Sequence, residues 1–204
     1  MNINEQVKEI KQSFRLMMDG TIAQSMRDKG VNYHLNWGAT LPRLQEKAAE
    51  IGKYYDLAIA LWKENVRECK ILATMIMPPN EVLPEVIDIW VEQIDAVEIA
   101  EQAAFNLFQH LPFAAEKAYQ WLASPEDLTQ MCGYHVLTRL FMNKKEPNER
   151  GINEFVDQAL VALQSPNLSL RKAAMQSVLR FSELGLMYQR VAHSAVHSIG
   201  MDFI

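Results

Sequence analysis

The sequence predicts an all-α chain built from repeated helix pairs, an α-solenoid, and three observations carry that prediction. Apolar residues recur at three- and four-residue spacing along most of its 204 residues. The breaks fall on helix stops and starts: Asp19-Gly20, Pro42, Pro78-Pro79, Leu111-Pro112 and Ser124-Pro125. No Asn-Gly or Asp-Gly pair separates two alternating apolar runs, so the hairpin signal is missing.

The helices follow in order. Ile3, Val7, Ile10, Phe14 and Met17 share one face of a first helix, which Asp19-Gly20 ends. A short second helix spans 22–29 and stops at Gly30. Residues 31–40 read as a loop rich in aromatics, with Tyr33, His34 and Trp37. Pro42 suits a first helical turn and opens a helix to about 51. Asp56 can cap the next, which ends at Leu61-Trp62. A helix from near Asn65 carries Arg67, Glu68 and Lys70 on its first turns and buries Ile71, Leu72, Met75 and Ile76, until Pro78-Pro79 stops it. Helices over 83–92, 95–110 and 114–122 follow. Ser124-Pro125-Glu126-Asp127 reads as cap, first-turn Pro and first-turn acids for a helix to about Asn143. Residues 144–149 form a loop, and helices over 150–163, 168–184 and 187–200 close the chain.

Leu122 and Leu163 lie 41 residues apart, as do Leu137 and Val178, and Ser124-Pro125 recurs as Ser165-Pro166. A period of about 40 residues with a break inside each pair is that of HEAT-like repeats. About five such pairs in one domain over 1–204 are expected, stacked into a superhelix with a concave face.

Composition narrows the class. Hydrophobic residues make up 49%, enough for a sizeable core. No apolar run approaches the roughly 20 residues of a membrane span, and the first residues do not read as a signal peptide. Cys69 and Cys132 sit in helical apolar patterns and read as reduced core thiols, which points to a cytoplasmic protein with no membrane partner. His193 and His197 lie one turn apart but lack a third ligand, so no metal or cofactor is expected. There is no glycine-rich phosphate loop, nucleotide fingerprint or Ser-His-Asp pattern. The net charge of −5 is unevenly spread. Residues 80–112 hold Glu81, Glu85, Asp88, Glu92, Asp95, Glu98 and Glu101 and no Lys or Arg. Any polyanion must therefore be held by the flanking segments, with most of these acids turned away from it.

Several segments together resemble the AlkD-like DNA alkylation repair family. These are Gly38-Ala39-Thr40-Leu41-Pro42-Arg43, Leu61-Trp62 with Arg67-Glu68, Trp121-Leu122-Ala123-Ser124, and Val178-Leu179-Arg180. The resemblance runs from about residue 31 to 185. It implies a HEAT-like scaffold that holds double-stranded DNA in its concave face and, if active, a glycosylase releasing alkylated purines. Such chemistry uses a carboxylate against the positive charge that grows on the sugar, with aromatic faces beside it. The matching acid is Asp95 or Glu98, depending on register. The family's two tryptophans and its arginine are replaced: Val91 or Ile94, Met131 and Ser177 stand at those positions. Trp37, Ile94, Met131 and Ser177 are the expected lining of the concave site. Arg43, Lys47, Arg67, Lys70, Arg139, Arg171, Lys172 and Arg180 are the candidate phosphate contacts. The alternative is a scaffold that has lost the chemistry and holds a basic protein or peptide on the same surface.

Overall fold

The structure, a computed structural model, describes residues 2–31 and 33–204. Asn32, inside the expected 31–40 loop, lies outside the described residues, as does Met1. Twelve α-helices and one 3-10 turn account for the regular structure among the described residues, and no strand is present. The chain divides into two compact units, Met1–Trp90 and Val91–Ile204.

In the first unit, α1 (Ile3–Leu16) opens with a capping box. The Asn2 side chain accepts from a backbone N–H of the first turn, while Glu5 accepts from the Asn2 N–H. Its stripe of Val7, Ile10 and Phe14 is buried. Asp19-Gly20, expected to end this helix, instead starts the next. The Asp19 carboxylate accepts from the N–H groups of Thr21 and Ile22, capping α2 (Gly20–Asp28). The helices α3 (Leu41–Ile51), α4 (Tyr55–Trp62) and α5 (Arg67–Ile76) follow. Asp56 lies in the first turn of α4 rather than capping it. Every residue from Arg67 to Thr74 is buried, so α5 is a core helix covered by α3 and α4 rather than a surface helix with one apolar stripe. Trp62 and Trp90 stack with ring centroids 4.2 Å apart. α6 (Pro84–Glu92) follows.

The second unit shows the repeat plainly. α7 (Val97–Asn106) ends in a 3-10 turn (Phe108–His110), where one continuous helix was expected. Then come α8 (Ala114–Leu122), α9 (Asp127–Met142), α10 (Glu149–Leu163), α11 (Leu168–Ser182) and α12 (Leu186–Ser198). α7, α9 and α11 pack side by side as one layer, with α8 and α10 forming the other and α12 covering α10 and α11. The predicted Ser124 cap sits two residues before the N-cap, Glu126. Its Oγ accepts from the Glu126 N–H, and Glu126 is the residue that precedes α9. The core is aromatic, with Tyr134, Phe141, Phe155 and Phe181 all buried and Phe155 and Phe141 making edge contacts to Tyr134, to each other and to Phe181. A side-chain bridge spans one repeat: the Asn167 amide donates to Asp127 at 2.7 Å, linking the starts of α9 and α11.

Candidate nucleic-acid interface

The layer of α7, α9 and α11 carries a cavity of about 420 Å³ on the second unit. Each helix contributes side chains about one turn apart, as three parallel helices must. α7 gives Glu101, Gln102 and Phe105, α9 gives His135, Thr138 and Arg139, and α11 gives Gln176 and Arg180. Arg139 lies over the face of Phe105, its guanidinium carbon 4.6 Å from the ring centroid. Phe105 is 42% exposed, unusual for a large aromatic in an otherwise packed layer. Arg180 is held by both carboxylate oxygens of Glu183, at 2.8 and 2.9 Å, through one of its two terminal nitrogens. The rest of its planar fork is not used by that pair.

Charge in the cavity is set by burial and by neighbours. Burial raises the Glu101 carboxyl above its ordinary range, and the nearby Glu98 carboxylate raises it further. Burial, with the positive charge of Arg139, lowers His135 to about 4. His135 is therefore neutral at pH 7, and its Nε2 is buried without a hydrogen-bond partner. The cavity is thus lined by two guanidinium groups, one of them paired with Glu183, by one carboxyl group, by a neutral imidazole and by a part-exposed aromatic ring that Arg139 covers on one face. Glu101 is the single acid among its lining residues, in line with the expectation that most of the 80–112 acids avoid such a surface.

The other predicted residues fall elsewhere. Arg67 and Lys70 were expected at phosphates, but both are buried, 2% and 8% exposed. The Arg67 guanidinium donates to the Ala39 carbonyl at 2.9 Å and to Glu68 at 3.2 Å, and the Lys70 ammonium lies over the Trp62 ring. Their charges serve the fold, because α5 has no exposed face to present them. Glu68 in turn accepts from the N–H groups of Trp37 and Ala39, so the Arg67-Glu68 pair pins the 35–39 loop to the start of α5. Gly38 in that loop has φ +73°, and a Cβ there would lie 2.1 Å from the Asp19 carbonyl oxygen. Ile94, Met131 and Ser177, expected to line the site, are 6%, 1% and 0% exposed and belong to the core. Trp37 is half-buried and lines a different cleft, on the first unit.

Arg43 and Lys172 are exposed, Lys47 pairs with Glu50 at 2.9 Å, and Arg171 donates to the Ser165 carbonyl at 2.9 Å. Asp95 is exposed ahead of α7, and Glu98 is half-buried in its first turn, one turn before Glu101. Of the side chains around this cavity, His135 and Phe105 were not singled out in the sequence, and Glu101 was only one of the seven acids of 80–112. The three-residue step from Glu98 to Glu101 was the available signal. Cys69 and Cys132 are buried thiols, each pushed up to about 12 chiefly by burial. His193 and His197 face each other at 6.0 Å, and no group of three metal-ligating side chains occurs among the described residues. No helix among the described residues is long and apolar enough to cross a membrane.

Comparison with known proteins agrees with this architecture. One solved structure, described as a new family of proteins related to the HEAT-like repeat DNA glycosylases with affinity for branched DNA structures, superposes with a TM-score of 0.83. It shares 14% identity and covers 94% of this chain and 82% of its own. That likeness gives the fold, a HEAT-like helical repeat. No curated protein matches the sequence. The sequence pattern of the DNA alkylation repair enzymes matches residues 10–181, and the chain belongs to that family.

Proposed function

We propose that the α7–α9–α11 surface binds DNA, with Arg139 and Arg180 holding phosphates on either side of the Phe105 and Glu101 position. The observation that carries this reading is the pairing of two arginines on neighbouring helices of one layer around one cavity, in a chain of a DNA-repair family. Arginine forks match phosphate oxygens, and the three-helix layer keeps both side chains on packed elements. The affinity of the similar solved protein for branched DNA favours a distorted or junction-containing duplex over a regular one as the ligand here.

Salt titration of binding to a fluorescent duplex tests this. Each phosphate neutralised adds about −0.9 to the slope of log affinity against log salt. Arg139→Ala and Arg180→Ala should each reduce that slope by about one. No binding at low salt would leave the protein-interaction reading, in which a basic peptide takes the surface.

One observation favours a second reading, release of an alkylated purine. Glu101 shares its cavity with an aromatic face, the pair that a cationic base and a developing sugar cation both need. Glu101, with Glu98 beside it, then takes the carboxylate role that the sequence assigned to Asp95 or Glu98. A release assay on 7-methylguanine duplex decides it: activity should vanish in Glu101→Gln and persist in Asp95→Asn. No release by the wild-type protein at high concentration sets this second reading aside.

A further inference from the structure

A second cleft, on the first unit, has a composition that the duplex surface does not. It lies between α1 and α4, with the 35–37 loop at its side, and has a volume of about 830 Å³. That is within the range of roughly 300–1,000 Å³ typical of ligand clefts. Its lining combines apolar side chains, Ile3, Val7 and Ile59, with the cations Lys8, Lys11, Arg15 and Lys63 and the carboxylates Asp56 and Glu64. Lys11 is paired with Glu64 at 2.5 Å. Lys8, Arg15 and Lys63 have no carboxylate partner among the described residues. The Arg15 guanidinium lies over the Trp37 ring, 5.5 Å from its centroid. The Trp37 indole N–H is buried without an acceptor, although its backbone N–H is bonded to Glu68. Cations that outnumber the carboxylates by four to two, an orphaned donor and an apolar lining at one place suit an anionic ligand that also has flat apolar faces.

We propose that this cleft binds an unpaired DNA strand, its phosphates on Lys8, Arg15 and Lys63 and its bases against the apolar lining and the Trp37–Arg15 stack. This rests on the DNA-binding reading and adds a second type of ligand to it. A duplex keeps its bases inside a convex cylinder and cannot send them into a cleft, whereas a single strand can turn them in. The indole N–H then finds a phosphate or base oxygen as its acceptor.

Binding of fluorescent oligo-dT and of a linear duplex, each titrated with salt, tests the proposal. Each phosphate contact to a single strand adds about −0.7 to the salt slope. The triple variant Lys8→Ala, Arg15→Ala, Lys63→Ala should lose at least about tenfold in oligo-dT affinity and about two units of slope, with duplex binding unchanged. Trp37→Phe, which keeps a ring but removes the donor, should weaken oligo-dT binding alone. Arg139→Ala with Arg180→Ala should do the reverse, weakening duplex binding and sparing oligo-dT. Oligo-dT that fails to bind while the duplex binds ends this inference alone. Cleft variants that leave oligo-dT binding unaltered, or weaken both probes equally, also end it. An acidic amphipathic peptide that binds through Lys8 and Lys63 where oligo-dT does not would show the cleft to be a protein site instead. Binding of neither nucleic acid removes both readings.

Discussion

Glu68 shows how much of the first unit hangs on one side chain. Fully buried, it accepts from two loop N–H groups and from Arg67, and so converts a loop into a fixed wall of the α1/α4 cleft. Its removal leaves two loop N–H groups without their acceptor and takes one partner from the Arg67 guanidinium, and breaking a buried pair in this way costs about 3–5 kcal/mol. Glu68→Ala is expected to lower the urea midpoint by that equivalent and to weaken oligo-dT binding with it. Unchanged stability would mean that the pair contributes nothing. The sequence displayed Arg67 and Lys70 as charges on a first helical turn, where exposure is the ordinary outcome. Whether a neighbouring helix covers that turn is a tertiary fact that local pattern does not contain. His135 gives a second test at this scale. Its pKa in the fold, about 4, lies below the ordinary value of about 6.5, so the unfolded chain binds the proton more readily. The stability it confers is present above pH 6.5 and is lost as pH falls toward 4, by about 2–3 kcal/mol. Chemical denaturation between pH 7 and 4 should show this slope in the wild-type protein and a flatter one in His135→Gln.

Among the elements, α9 is the most informative. It packs against α7, α8 and α11, and contributes both the aromatic core and the cavity side chains. Gly133 permits its approach to α8: a Cβ there would lie 2.8 Å from the Ala118 carbonyl oxygen and 3.2 Å from the Leu122 nitrogen. Gly133→Ala must push α8 away and should destabilise by about 1–3 kcal/mol, despite the better helix propensity of alanine. Gly20, with nothing within 4 Å of a Cβ, is the control, and Gly20→Ala should be close to neutral. Thermal melting of the two variants separates packing from propensity, and equal melting temperatures would contradict the close-approach argument. The helices themselves were legible, because period 3.6 and Pro breaks are local signals. Their ends were less so. Asp19 caps forward rather than ending the helix behind it, and Ser124 bonds one residue short of α9, choices made by a single hydrogen bond each.

At the scale of the whole molecule, the order of motifs made the family readable where no single motif sufficed, and the match over residues 10–181 agrees with it. The 41-residue spacing was visible because Leu122 and Leu163 occupy equivalent helix ends, the last residues of α8 and α10. The lining of the proposed surface was only partly legible. Arg139 and Arg180 were named from the sequence and do share a cavity, while Glu101, His135 and Phe105 become a site only when three helices are laid side by side. Burial of Ile94, Met131 and Ser177 had no local signal, because an apolar or small residue reads the same in a core and in a groove. In the DNA-binding reading proposed above, two arginines on α9 and α11 make this face a phosphate-binding surface. The most direct test is the salt dependence of duplex affinity for the wild-type protein and for Arg139→Ala with Arg180→Ala. A steep wild-type slope should fall by about two in the double variant, with helicity unchanged. A slope that is the same in both proteins, or no duplex binding by the wild-type protein at low salt, would contradict it.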